Sequence, residues 1–229
     1  VELRFIQTAV RLIGEIAHPT RCGTCGLLSE TGLCPTCRAE FEPADPSFEW
    51  FGSGLPLLFR AAAFRYHGRA AAAVRHLKYL PNPFLFEPMA LDMAAAFARL
   101  PLTPCDVVVP VPIHPLRRIE RGFNQAEVLC SRIEADVRTD LLRRIRRTRP
   151  QAGLDIDRRR TNVRGAFSAE PAVEGLAVLL VDDVTTSGFT AFECGRELLR
   201  AGASRVGVLA YATGGQASEG EPHEWHLDP

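Results

Sequence analysis

Two groups of residues in this chain have types and spacing that can do chemistry. The first is an apolar run that ends in two acids and a loop of small hydroxyl residues, Val178-Leu-Leu-Val-Asp182-Asp183-Val-Thr-Thr186-Ser187-Gly188-Phe-Thr190. The run reads as a buried strand, and a helix is expected to start at about Thr190. Backbone N–H groups at a helix N-terminus point at one spot, and the dipole there favours an anion. Gly188 lets the backbone approach a phosphate closely. Thr186, Ser187 and Thr190 add hydroxyl donors, and Thr185 and Phe189 complete the loop. Asp182 and Asp183 fall at the strand's carboxyl end, where α/β sheets bind ligands. Acids suit sugar hydroxyls or a hydrated magnesium ion there, not phosphate. The loop is not a Walker loop, because no Gly-Lys-Ser/Thr follows four variable residues.

The second group is Cys22-x-x-Cys25, eight residues, then Cys34-x-x-Cys37. Each pair forms a tight knuckle, and two knuckles complete a tetrahedral four-thiolate shell suited to zinc. Such a shell leaves no open position, so the expected role is structural, a staple for a segment too short to build its own core. A thioredoxin-like redox pair is the alternative, but two pairs this close favour metal. Cys105, Cys130 and Cys194 are scattered. An odd cysteine count in a chain without a recognisable signal segment argues against a disulfide framework.

Elements must hold these groups in place. Apolar residues at helical spacing (Leu3, Ile6, Val10, Ile13, Ala17) predict an N-terminal helix within 1–20. The cysteine segment, a zinc ribbon, covers 21–41, and a Pro- and Gly-rich linker covers 42–57. From 58 to 213 strands alternate with helices: strands at 58–66, 106–111, 177–181 and 205–211, and helices at 69–79, 86–99, 124–137 and 190–201. That alternation predicts an α/β domain with a mostly parallel sheet flanked by helices. The arginine-dense stretch 143–164 reads as mobile and exposed, and 214–229 as a disordered tail.

The loop resembles the phosphoribosyl pyrophosphate (PRPP) motif of type I phosphoribosyltransferases. Three further stretches narrow the match: Asp106-Val-Val-Val-Pro-Val-Pro112, Arg121-Gly-Phe-Asn124-Gln125, and Arg147-Thr-Arg149 followed by Arg160-Thr-Asn162. With the four cysteines, the chain looks like the ComF family of competence-associated, GntX-like proteins, a type I phosphoribosyltransferase-like domain preceded by a zinc ribbon. The resemblance implies PRPP with Mg2+ as ligand and Zn2+ as structural ion. It implies Asp182 and Asp183 on the ribose 2′ and 3′ hydroxyls as the catalytic pair, and residues 185–190 on the 5′-phosphate. Purine-salvage relatives carry an acid base where Thr186 stands, and threonine cannot take that role. Arg117, Arg118 and Arg121 are candidates for pyrophosphate, since Pro110 and Pro112 remove backbone donors from the turn before them. Asn124 and Gln125 add amide donors. Lys78 and Tyr79 are candidates for the acceptor side.

Composition frames these expectations. The chain has 229 residues, 46% hydrophobic and 24% charged, with a formal net charge of zero. Bulk charge therefore gives no argument for nucleic acid or membrane. No apolar run reaches the length of a membrane span, and with no secretion signal evident the expected location is cytoplasmic. Two functions remain open. One is a phosphoribosyltransferase linked to DNA uptake in natural transformation. The other is a PRPP- or nucleotide-sensing protein that binds single-stranded DNA or a DNA-uptake helicase through its zinc ribbon and the arginines of 143–164.

Overall fold

A computed structural model describes residues 20–44, 48–51, 55–79, 83–100, 105–148 and 156–214. The N-terminal helix expected in 1–20 and the tail expected over 214–229 fall almost entirely outside them. The central sheet has five strands, β1 (Phe48–Trp50), β2 (Phe59–Arg65), β3 (Val107–Pro110), β6 (Ala177–Thr185) and β7 (Arg205–Thr213), in the order β1-β2-β7-β6-β3. All neighbouring pairs are parallel except β1 with β2. Strand periodicity divides the interior between the two faces of the sheet. Leu179, Val181, Leu209 and Tyr211 face one core cluster, and Val178, Leu180, Val206 and Val208 face the other.

Helices cover both faces, as continuous Val- and Leu-rich parallel strands require. Helix α2 (Gly68–Tyr79) buries Ala70, Ala73, Val74 and Leu77 at helical spacing. A 3-10 turn (Pro83–Leu85) leads into α3 (Phe86–Ala98), which buries Met89, Met93 and Ala96 on the same side. Helix α7 (Phe189–Arg200) follows β6 and packs Ala191, Phe192, Cys194 and Leu198 on the other side. The mostly parallel α/β sheet flanked by helices, expected from the alternation, is what the chain forms.

The structure corrects several element boundaries. The stretch read as a linker contributes β1, and Pro43 bridges to Phe64, because Phe41 and Leu57 on either side are buried. The helix expected over 124–137 is only α5 (Gln125–Cys130). Beyond it the chain turns to pair Val137 with Val108 of β3. The arginine-dense stretch holds ordered elements: β4 (Leu142–Arg144) pairs antiparallel with β5 (Phe167–Ala169), and α6 (Ile156–Val163) precedes β5. Leu141, Leu142 and Phe167 are buried and anchor that pair; residues 149–155 lie outside the described set.

The cysteine segment is docked onto the α/β body. Its short helix α1 (Pro35–Ala39) is capped by the Cys34 side chain. Cys22, Leu33, Cys37 and Phe41 share one core cluster with α2, α3 and β7. Contact is close enough that a Cβ on Gly32 would lie 1.7 Å from the Phe84 carbonyl oxygen. Buried Asp92 of α3 accepts hydrogen bonds from Arg38 of α1 and, at 2.8 Å, from Tyr211 of β7. Arg38 also stacks over Phe41 and Phe64. Among the described residues, no helix is long and apolar enough to cross a membrane.

Candidate functional site

Strand β6 runs four residues further than its apolar core suggests, so Asp182 and Asp183 lie within it, near its carboxyl end. Side chains alternate across a strand, which sends adjacent acids to different partners. Asp183 is buried and forms an ion pair with Lys78 Nζ of α2 at 2.9 Å. Burial opposes the Lys78 ammonium, but the Asp183 charge outweighs it and raises the lysine's pKa. Among the described residues Asp182 has no such ion pair, and its Oδ1 accepts from the Asp183 N–H at 2.8 Å. Burial, and after it the Asp183 charge, push its carboxyl up to about 7. Lys78, a candidate for the acceptor side in the sequence, lines the cleft and pairs with Asp183.

After β6 the chain turns through Thr186 and Ser187 to Gly188, whose φ of 74° is left-handed backbone, and α7 begins at Phe189, one residue before the expected start. Gly188 is the N-cap residue and has no side chain with which to cap the helix. Among the described residues, Thr185 Oγ1 and Ser187 Oγ find no hydrogen-bond partner there, although both atoms are buried. Buried hydroxyls are normally paired, and a helix N-terminus favours an acceptor-rich group, so these two hydroxyls can donate to a bound group. Arg60 of β2 reaches the Thr186 carbonyl at 3.5 Å, and Gly214 N–H donates to the Thr185 carbonyl at 2.9 Å.

Both features open on a cleft of about 1050 Å³ at the carboxyl end of the sheet. Its walls include Asp182, Asp183, Thr186 and Thr190, and also Arg117, Arg121, Asn124 and Gln125. The structure thus gathers sequence candidates separated by more than sixty residues. Thr185, Ser187, Gly188 and Phe189 form the loop and helix start beside these walls. Helix α4 (Pro115–Arg121) supplies the arginines. Arg117 donates to the Thr148 carbonyl at 3.0 Å, and Arg121 donates to Gln125 Oε1 at 3.1 Å while lying over the Tyr79 ring. Gln125 Nε2 is buried and unpartnered.

Two candidates have partners of their own. The Asn124 side chain caps α5, accepting from Ala126 N–H at 3.1 Å and donating to the Val111 carbonyl at 3.1 Å. It shapes the wall of the cleft, with one of its two amide N–H donors engaged. Arg118 turns outward to Glu127. Sequence reasoning missed Arg75, Arg144 and Tyr66 as walls of the cleft. Arg144 was hidden in a stretch read as mobile, although Leu141-Leu142 before it was the signal for a buried strand.

The four cysteine Sγ atoms lie within 4.8 Å of one another, so they can hold one metal ion. Backbone N–H groups of Cys34 and Cys37 donate to the sulfurs of Cys22 and Cys34, each at 3.4 Å. Burial, joined by the neighbouring sulfurs, pushes Cys37 up to about 12. Burial also opposes ionisation of Cys22, but hydrogen bonds led by that from Thr24 prevail and bring it to about 5. A divalent cation supplies the charge that lets four crowded thiols ionise together.

No family model matches the chain. It is 33% identical over 208 residues to the DNA utilization protein YhgH of Salmonella typhi, an alignment covering 84% of this chain and 90% of that protein. Competence protein F of Haemophilus influenzae is 32% identical over 114 residues, covering 47% of this chain and 50% of its own length. Among solved structures, glutamine PRPP amidotransferase from B. subtilis, complexed with ADP and GMP, matches with a TM-score of 0.40 and 20% identity. That match covers 60% of this chain and 30% of the other.

Proposed function

Because the chain belongs to the family of DNA utilization protein YhgH and competence protein F, we propose that it is a PRPP-binding, phosphoribosyltransferase-like protein serving DNA utilization or uptake in the cytoplasm. The observation that carries this reading is the pair of unpartnered buried hydroxyls, Thr185 Oγ1 and Ser187 Oγ, at the N-terminus of α7. Each orphan costs about 1–3 kcal/mol, and the oxygens of a 5′-phosphate would satisfy both. Asp182 and Asp183 stand at the adjoining strand end to accept the ribose 2′ and 3′ hydroxyls. Arg117 and Arg121 face the pyrophosphate, with which Mg2+ enters, and Gln125 Nε2 offers a further donor. The four cysteines hold a structural Zn2+.

In the enzymatic form of this reading, an acceptor's lone pair forms a bond to ribose C1 as the C1–O bond to pyrophosphate breaks. Pyrophosphate departs with the bonding electrons, and positioned arginines stabilise its charge. A second reading is favoured by Thr186, because among the described residues the carboxylates lining the cleft are Glu120, Asp182 and Asp183, and Asp183 is already paired with Lys78. There the cleft senses PRPP or a nucleotide, and the arginines of 143–164 engage single-stranded DNA or a DNA-uptake helicase.

Calorimetric titration of PRPP with Mg2+ tests both. Binding by the unaltered chain should be lost in a variant with Asp182→Asn and Asp183→Asn together; undiminished binding would sink both readings. Pyrophosphate release from bound PRPP across a panel of acceptors supports the enzyme. Salt-sensitive DNA binding that disappears when the arginines are neutralised supports the sensor.

A further inference from the structure

Two arginines from different elements meet at one threonine on the wall of the cleft. Arg117 of α4 donates to the Thr148 carbonyl at 3.0 Å, and Arg144 of β4 donates to Thr148 Oγ1. Thr148 is buried, with 6% of its surface exposed. The acceptors holding these guanidiniums at Thr148 are neutral oxygens. The nearest ion pairs on the same wall are spent on others, Lys78 on Asp183 and Arg147 on Glu120. Arg144 lies over the Phe167 ring, and its Nε is buried without a partner.

Like charges do not gather in a half-buried place at no cost. Burial disfavours the charge on Arg117, and so does Arg121 next to it. Burial followed by Arg117 does the same to Arg144. A hydroxyl and a carbonyl of one residue hold the two guanidiniums side by side, with donors left over for something anionic. Guanidinium forks match phosphate oxygens, and two forks match a group with several of them.

We infer that Thr148 is a positioning residue that assembles Arg117 and Arg144 into a two-guanidinium seat for a diphosphate group, separate from the phosphate seat at the N-terminus of α7. Arg144 is then a binding residue for the pyrophosphate end of the ligand. This rests on the PRPP reading of the cleft and extends it, because the seat belongs to the leaving group and not to the ribose phosphate. It also explains why the arginine-dense stretch is folded into β4: Leu142 anchors the strand, and the strand delivers Arg144.

The test titrates the full chain separately with inorganic pyrophosphate plus Mg2+ and with ribose 5-phosphate. Thr148→Val removes the hydroxyl and keeps the shape and the carbonyl. It should weaken pyrophosphate about tenfold, the worth of one hydrogen bond to a charged group, and leave ribose 5-phosphate unchanged. Thr148→Ser restores the hydroxyl and should restore pyrophosphate binding. Arg144→Lys keeps the charge but loses the fork, so it should behave like Thr148→Val, and it serves where the valine variant fails to fold. Pyrophosphate binding untouched in both Thr148→Val and Arg144→Lys overturns the inference. So does equal weakening of both ligands, which is what a merely structural threonine would give. An unaltered chain that binds neither ligand overturns the PRPP reading itself, and the seat with it.

Discussion

Asp182 sits between a buried neighbour of like charge and a cleft open to ligand. Its pKa in the folded chain, about 7, lies above the ordinary 3.8, so folding takes up a proton between those values. Stability linked to this group is complete below pH 4 and is lost as pH rises through 7. Asp182→Asn keeps the acceptor for the Asp183 N–H and removes the titration. The variant should therefore melt a few degrees above the unaltered chain at pH 8, with the gap closing toward pH 4, in calorimetric scans across pH. The hydroxyls of the loop make the opposite case. Ser187→Ala deletes an unpaired buried group, so the ligand-free chain should melt at the same temperature or slightly higher. PRPP affinity should fall about tenfold, as for any lost hydrogen bond to a charged oxygen. These residues were legible in the sequence because a strand, two acids, a hydroxyl loop and a helix are contiguous. The Lys78–Asp183 and Arg117–Thr148 contacts were not, because they join residues about 105 and 31 apart.

At the scale of elements, the site depends on a turn that only one backbone conformation allows. Gly188 joins β6 to α7 at a φ of 74°, where a side chain costs roughly 1–2 kcal/mol. Gly188→Ala should lower the melting temperature by several degrees and weaken ribose 5-phosphate binding, because the helix N–H groups no longer converge. Strands and helices with continuous apolar patterns, such as β6, α2 and α3, could be read directly. The short ones could not. α5 ends after six residues because Val137 must reach β3, and β4 and β5 exist because each supplies the other's hydrogen bonds. Such elements are fixed by tertiary partners, not by their own periodicity.

At the scale of the whole molecule, the cysteine segment is part of the core it was expected only to precede. Leu33 and Phe41 lie in one cluster with α2 and α3, and Arg38 meets Asp92 and Tyr211 beneath the sheet. Metal removal should therefore act on the whole body. A chelator should lower the melting temperature of the α/β domain in a single transition, and atomic emission should find one zinc per chain before treatment. A separate low-temperature transition for the cysteine segment would contradict this coupling. Arg38→Met should destabilise the metal-bound chain by about 1–3 kcal/mol, because it leaves buried Asp92 with only the Tyr211 hydroxyl, and urea unfolding would measure it.

The sequence by itself determined the four-cysteine cluster, the run of strand, acid pair and hydroxyl loop, and the alternating strands and helices, since each is written in residues close along the chain. Tertiary structure alone decided that the two groups share one core, that Lys78 neutralises Asp183, and that Arg117 and Arg144 meet at Thr148. Packing across a sheet brings together residues whose separation in sequence leaves no periodic trace, so no local pattern could announce them.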